Sequence, residues 1–427
     1  MAISVIRSSD SFVKPSERTP SHVLDLSAID RIPVLRCNAR TLHVFRHGLD
    51  AARVIKEALS KALVPYYPIA GRLVESVPGE LRVDCSAEGV RFVEATADCK
   101  LESVDYFEDV VSIPYDELLP RELQDPESRE PLVQMQVTRF DCGGFVMGLI
   151  FCHSICDGLG AARFLDALGE FARGLERPAV EPVWYRHFFP TLTPQSESDD
   201  VSPPQLPIPP PPMPNYQLQH ANIDLPLEDI NKLKRIFRES TGQNCSTFEA
   251  VAASFWRSRS LAIGSNPGTE VCLVFFANCR QLLDPPLPNG FYGNCFFPVT
   301  VKAPSELLQG ASFADVVKII QEAKEKLPSE FEKFKNGDPL EHGADPFAPP
   351  VAYTTLFLSE WGRLGFNQVD YGWGPPMHVV PVQGSSIIPA GIVGSLPLPR
   401  KGVRLMTWCI EEAHRLPLLD QMAKLFS

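Results

Sequence analysis

A mixed α/β chain folded as two domains is what three features of this sequence predict. The first is "LDAARVIKEALSKALVPYYP", in which Val54, Ile55, Ala58, Leu59, Ala62 and Leu63 recur at helical spacing. The second is the pair "LVQMQVTRF" and "GFVMGLIFCH", apolar runs joined by the turn "DCGG" that read as neighbouring strands. The third is "SESDDVSPPQLPIPPPPMPN", residues 196–215, whose eight prolines exclude a helix or a central strand and separate two halves. At 427 residues the chain is long enough to bury a core in each half.

The elements follow in order. The first helix stops at Pro65 and Pro68, and "IAGRLV" turns into a strand. The run "GFVMGLIFCH" is apolar on both faces, which predicts a central strand. Ala161, Phe164, Leu165, Leu168 and Phe171 then share one face of a helix that Gly174 ends. The proline stretch reads as an extended, polyproline-like crossover. Beyond it "LEDINKLKRIFRES" is a basic amphipathic helix, and "STFEAVAASFWRSRSLAI" opens with Ser246 or Thr247 as cap and Glu249 near the third position. "VCLVFFANCR" reads as a buried strand with a polar end. No repeat of solenoid or propeller period is present.

Composition narrows the function. Hydrophobic residues make up 44 % and charged residues 22 %, a soluble globular profile, and the net charge of −12 argues against a nucleic-acid or anionic-membrane surface. An anionic small molecule stays possible through a local basic pocket. The 11 cysteines are odd in number and include no CxxC pair. With no secretory leader in "MAISVIRSSDSF", no membrane-length apolar run and no peroxisomal ending in "MAKLFS", reduced thiols and a cytoplasmic location are expected.

The chemistry centres on "FCHSICDGLG", residues 151–160, where His153 stands at a strand's C-terminal end just before a helix. Such strand ends are common places for sites in α/β sheets. His153 could be a general base, a metal ligand or a buried structural histidine. A metal is disfavoured because no HExxH, Cys/His cluster or second close histidine completes a ligand set. A thiol nucleophile at Cys152 or Cys156 is a further reading, although Cys152 and His153 point to opposite faces if the strand continues through them. Asp157 could hold the imidazole directly, or pair with a distant arginine and pin the loop. The residues alone leave these roles open.

A second motif lies far downstream: "VDYGWGPP", residues 369–376, with two glycines around Trp373. "HSICDG" together with "DYGWG", 217 residues apart from His153 to Asp370 (370 − 153), resembles the HxxxD and DFGWG pair of the BAHD family of acyl-CoA-dependent acyltransferases. "YYPIAGRL", "STFEAVAASFWRSR", "ANCRQ" and "NGFYGNC" extend the resemblance over nearly the whole chain; Tyr371 stands where phenylalanine is usual. The resemblance implies two chloramphenicol-acetyltransferase-like domains, residues 1–185 and 220–427, joined by a crossover at 186–219, with a channel between them. It implies His153 as general base, Asp157 as a structural partner of Arg280, and Asp370, Gly372, Trp373 and Gly374 as support on the coenzyme side. It also implies acyl-CoA as co-substrate, a small-molecule acceptor, no permanently bound cofactor or metal, and a monomer.

Candidates for the coenzyme phosphates are Ser246 and Thr247 at a helix start, with Lys232, Lys234, Arg235, Arg238, Arg257 and Arg259 nearby in sequence. A solvated helix face and an ordinary cap explain the same residues. Ser385 or Ser386 could donate to the oxyanion. Arg363 reads as structural, which favours an uncharged alcohol over a carboxylated acceptor. The resemblance is greatest to the subgroup with grass hydroxycinnamoyl-CoA monolignol transferases and taxane acetyl- and benzoyltransferases. The expected reaction is therefore aromatic acyl transfer to an alcohol such as a monolignol. An arylalkylamine acceptor, acetyl transfer to a terpenoid alcohol and a non-catalytic binding shell remain alternatives.

Overall fold

In the computed structural model, which describes residues 3–77, 79–123, 129–189, 216–338, 340, 345–382 and 386–425, two six-stranded sheets carry the fold. The first runs in the order β1 (Val5–Val13), β6 (Val90–Ala97), β7 (Val133–Arg139), β8 (Phe145–Cys152), β3 (Asn38–Phe45) and β13 (His378–Pro381). The second runs β11 (Phe296–Pro304), β10 (Glu270–Asn278), β12 (Thr355–Glu360), β14 (Ala390–Ser395), β15 (Gly402–Ile410) and β9 (Gln219–Pro226). A small third sheet joins β2 (Val23–Asp25), β5 (Leu81–Asp84) and β4 (Arg72–Glu75). Parallel pairs (β6–β7, β10–β12, β12–β14) sit among antiparallel ones, so both large sheets are mixed. The proline-rich stretch at residues 196–215 lies outside the described residues.

β8 shows why its sequence carries no alternation. Phe145, Met147, Leu149 and Phe151 face a core that includes α1 (Ala51–Ala62) and α3 (Gly158–Ala172). Val146 and Ile150 face a second core with Leu118 of α2 (Tyr115–Leu118). Both faces are dry, and each large apolar side chain buried there stabilises by roughly 1.5–3 kcal/mol. On the second sheet α4 (Leu227–Thr241), α5 (Thr247–Ile263), α6 (Ser305–Gly310), α7 (Phe313–Asn336) and α8 (Glu412–Lys424) surround a core containing Phe255, Trp256, Leu273 and Leu358.

β13 belongs to the second half of the chain yet completes the first sheet, with His378 opposite Val44 and Pro381 opposite Thr41. The chain leaves β12, crosses to the first sheet, and returns as β14. This excursion brings the DYGWG segment against α3 and β8. It thereby couples the far motif to the element that carries His153.

Candidate active site

The strand-to-helix turn after β8 is held atom by atom. The His153 amide donates to the Cys37 carbonyl at 2.9 Å, and Ser154 Oγ donates to the Leu35 carbonyl at 3.0 Å. Asp157 caps α3, accepting the Gly160 amide at 2.9 Å. Gly160 is required there, because a Cβ would collide with the Tyr292 carbonyl. His153 is half-buried, and its ring lies 6.2 Å from that of Phe296, edge to face. Nδ1 is buried without a hydrogen-bond partner among the described residues.

Asp157 points its carboxylate across to the second half of the chain. Arg280 Nη2 donates to Oδ1 at 2.8 Å and Nη1 lies 2.8 Å from Oδ2, a bidentate fork. The Cys295 amide adds a bond to Oδ2 at 3.2 Å. No hydrogen bond joins this carboxylate to the imidazole among the described residues. Burial works against the Arg280 charge, but Asp157 outweighs it and holds the guanidinium above its ordinary value. Arg280 also donates to the Gly293 carbonyl at 2.6 Å.

A second buried ion pair braces the same turn, and sequence reading missed it. Asp30 is 0 % exposed and accepts from Arg186 Nη1 at 2.7 Å and from Ser27 Oγ at 2.7 Å. Arg186 reaches on to the Ile155 carbonyl at 2.7 Å, its guanidinium 4.2 Å from the centre of the Trp184 ring. Asn294 Nδ2 bridges Asp30 Oδ1 and the His153 carbonyl, at 2.8 Å each. The only local signal was the Ser27-x-x-Asp30 spacing, which by itself marks a turn.

The two neighbouring thiols are poor nucleophile candidates. Burial pushes Cys152 up to about 11 and Cys156 well above its ordinary range, so both stay protonated near neutral pH. Among the described residues no group of three or more His, Cys, Asp or Glu could hold a metal ion.

The DYGWG loop sits at the other end of β8 and α3. Asp370 Oδ1 accepts the amides of Gly372 at 2.7 Å and Gly374 at 2.8 Å, a closed turn that both glycines make possible with φ of +107° and +89°. Arg173 donates to the Asp370 carbonyl. Tyr371 is buried 5.4 Å from Phe45, and Trp373 meets Phe145 edge to face at 6.0 Å. β8 is 8 residues long, so this loop stands roughly 25 Å from His153 and supports it through the strand and helix.

The proposed coenzyme residues do not all converge. Ser246, not Thr247, is the cap of α5, and its hydroxyl accepts the Glu249 amide at 3.1 Å in a reciprocal box. Lys234 is close enough to Cys245 to oppose the rise that burial imposes on that thiol, so one cation stands near the helix start. Arg235 and Arg238 are exposed on α4; Lys232 is partly buried and already has an interaction partner. Arg257 lies about 16.5 Å along α5 from Ser246, and its Nε donates to the Ala311 carbonyl at 2.8 Å. Arg259 is buried and donates to Cys409 and Tyr353 carbonyls. Arg363 is exposed, although its neighbour Leu364 touches the start of α3 at Gly158. Ser386 is exposed, and Ser385 lies outside the described residues.

A cavity of about 900 Å³ is lined by Leu26, Arg31, Ile32, Trp184, Phe189 and Phe347 among others; Arg186 of the second ion pair lines it, and His153 does not. Phe347 meets Phe296 at 6.1 Å, and Phe296 is the ring facing His153.

A family model described as "Transferase family" matches residues 3–404. The chain belongs to the Transferase family. Acyl transferase 4 of Oryza sativa subsp. japonica is 44 % identical over 100 % of both chains. Myricetin 3-O-glucosyl 1,2-rhamnoside 6'-O-caffeoyltransferase AT2 of Crocosmia x crocosmiiflora is 39 % identical over 99 % of both. The crystal structure of vinorine synthase superposes with a TM-score of 0.69 at 20 % identity, covering 99 % of each chain. The protein is thus a BAHD acyltransferase with the two-domain, chloramphenicol-acetyltransferase-like fold of that family.

Proposed function

We propose that this transferase moves an aromatic acyl group from coenzyme A to a hydroxyl of a specialised-metabolite alcohol, with His153 as general base. The observation that carries it is the state of the His153 turn. Its amide and carbonyl, the neighbouring Asp157 and the Ile155 carbonyl are all committed to structural bonds, and the imidazole is left without a hydrogen-bond partner among the described residues. Held between both bound substrates, such a base needs to move one proton as the hydroxyl oxygen attacks the thioester carbonyl. The tetrahedral intermediate collapses, the C–S bond breaks, and the proton leaves with the coenzyme thiolate. Ser246, Thr247, Lys234 and Arg235 are the residues proposed at the coenzyme phosphates, and Ser386 or Ser385 at the oxyanion. Burial raises both thiols above their ordinary range, which disfavours an acyl-enzyme on Cys152 or Cys156.

The acyl group is proposed as hydroxycinnamoyl (p-coumaroyl for example) or benzoyl; caffeoyl transfer by the Crocosmia relative supports the first class. A monolignol is the simplest acceptor. A bulkier glycosylated phenol is the second reading, supported by the myricetin glycoside in the name of the Crocosmia relative. We also propose a monomer working in the cytosol. Crossing a panel of acyl-CoA thioesters with alcohols, glycosides and amines, read by mass spectrometry, tests this. Products with amines alone would overturn the alcohol assignment, and no product with any pair would favour a binding protein.

A further inference from the structure

We propose that Asn294 is a positioning residue for the base: it holds the His153 carbonyl through Nδ2, and its Oδ1 accepts a hydrogen bond from the Nδ1–H of His153 when the imidazole is turned for catalysis. The inference rests on the base reading of His153 and adds to it the group that sets the ring's tautomer.

Geometry assigns the amide. Nδ2 lies 2.8 Å from both the Asp30 carboxylate and the His153 carbonyl, and both partners are acceptors only, so the nitrogen end of the amide is unambiguous. The Asn294 backbone amide also donates to Asp30 at 3.3 Å. Asp30 in turn cannot rotate, because Arg186 and Ser27 occupy its other oxygen. Asn294 is therefore locked from behind by a buried ion pair.

Two orphans remain in front. Asn294 Oδ1 and His153 Nδ1 are both buried, and both lack a partner among the described residues. A buried polar atom left unpaired costs about 1–3 kcal/mol, so each calls for an explanation. They are complementary: a neutral imidazole that acts as base at Nε2 carries its proton at Nδ1, and Oδ1 is an acceptor with no donor. They belong to residues already joined by the bond from Nδ2 to the His153 carbonyl. In an unliganded enzyme such catalytic bonds are often open and close only with substrate. Residues flanking Asn294 strengthen the case. The Gly293 carbonyl accepts from Arg280, and the Cys295 amide donates to Asp157. Three successive residues of "GNC" thus tie both ion pairs to the catalytic turn.

A purely structural asparagine makes the rival reading, and tautomer and pH behaviour separate the two. Protein labelled with 15N-histidine would be studied free and with coenzyme A bound, His153→Gln identifying the signal. The expected result is a Nδ1–H tautomer in the coenzyme complex of the parent and a mixture in Asn294→Ala. Turnover of Asn294→Ala should fall about 10- to 100-fold, in the range of other residues that orient a site from behind, with the Michaelis constant for acyl-CoA nearly unchanged. Asn294→Asp keeps an oxygen toward Nδ1 but adds negative charge, so the acidic limb of kcat/KM should move to higher pH. If Asn294→Ala fails to fold, Asn294→Asp decides by that limb. An unmoved limb in Asn294→Asp, or an unchanged tautomer in a folded Asn294→Ala, overturns the proposal. An active His153→Gln would sink the base reading itself, whatever Asn294 does.

Discussion

Removing Arg280 isolates the pair that orients the His153 turn. Arg280 gives Asp157 two charge-assisted bonds of 2.8 Å between buried groups. At about 1.5–3 kcal/mol per bond to a charged group the gross interaction is roughly 3–6 kcal/mol, and desolvation offsets much of it. A double-mutant cycle of Asp157→Ala and Arg280→Ala should therefore show coupling of about 2–3 kcal/mol, the upper part of the range for contacting residues. Arg280→Ala alone strands a carboxylate whose remaining partners among the described residues are the Gly160 and Cys295 amides, which costs about 3–5 kcal/mol. Unfolding entropy of about 2.1 cal/mol/K per residue over 427 residues turns that into a drop in Tm of about 3–6 °C. Urea unfolding followed by tryptophan fluorescence, with turnover measured in parallel, reads both effects. Single losses that simply add up would refute the pairing as the energetic clasp. An Asp157→Ala variant of parental Tm with no turnover would instead place Asp157 on His153 itself.

His153→Ala should lose about 10² to 10⁴ in turnover while its dissociation constant for acyl-CoA, by calorimetry, stays parental; normal turnover with a weakly acidic alcohol would end the base assignment. Cys152→Ser and Cys156→Ser should each stay within about tenfold of the parent, since packing and a weak S–H donor are all that is lost; a stoichiometric acyl adduct on either cysteine, chased into product by acceptor, would overturn direct transfer. Burial lowers His43 to about 3, His378 to about 3 and His220 to about 4. Their contribution is intact above the unfolded value of about 6.5 and is lost as pH falls, because only the unfolded chain takes up the protons. Near pH 5 unfolding should bind about three extra protons, a slope of ~4 kcal/mol per pH unit; replacing His378 by Phe should remove about a third of that slope in acid denaturation curves.

Local rules carried a large part of the fold. The unbroken apolar run of β8, the 3.6-residue face of α3 and the Ser246–Glu249 box of α5 each depend on neighbours within a few residues, and such spacing is written in the chain. Cation direction is not. Arg257 and Arg259 sit on a helix whose start could hold a phosphate, yet their side chains turn to carbonyls of the α6–α7 turn and β15. Which way a long side chain points depends on what packs against its helix, and here the α6–α7 turn and β15 supply the accepting carbonyls.

By itself the sequence determined the mixed α/β class, the strand and helix that flank His153, and, through the spacing of two motifs, the family. Only the tertiary structure decided what surrounds His153. The Asp30–Arg186 bond joins residues 156 apart and the Asp30–Asn294 bond residues 264 apart, while β13 crosses from one half to complete the other half's sheet. Such contacts leave no periodic trace, because a buried charge needs only one partner in space and any position along the chain can provide it. Helical and strand patterns arise from the backbone's own repeat; the polar network around His153 arises from how two sheets and their loops meet.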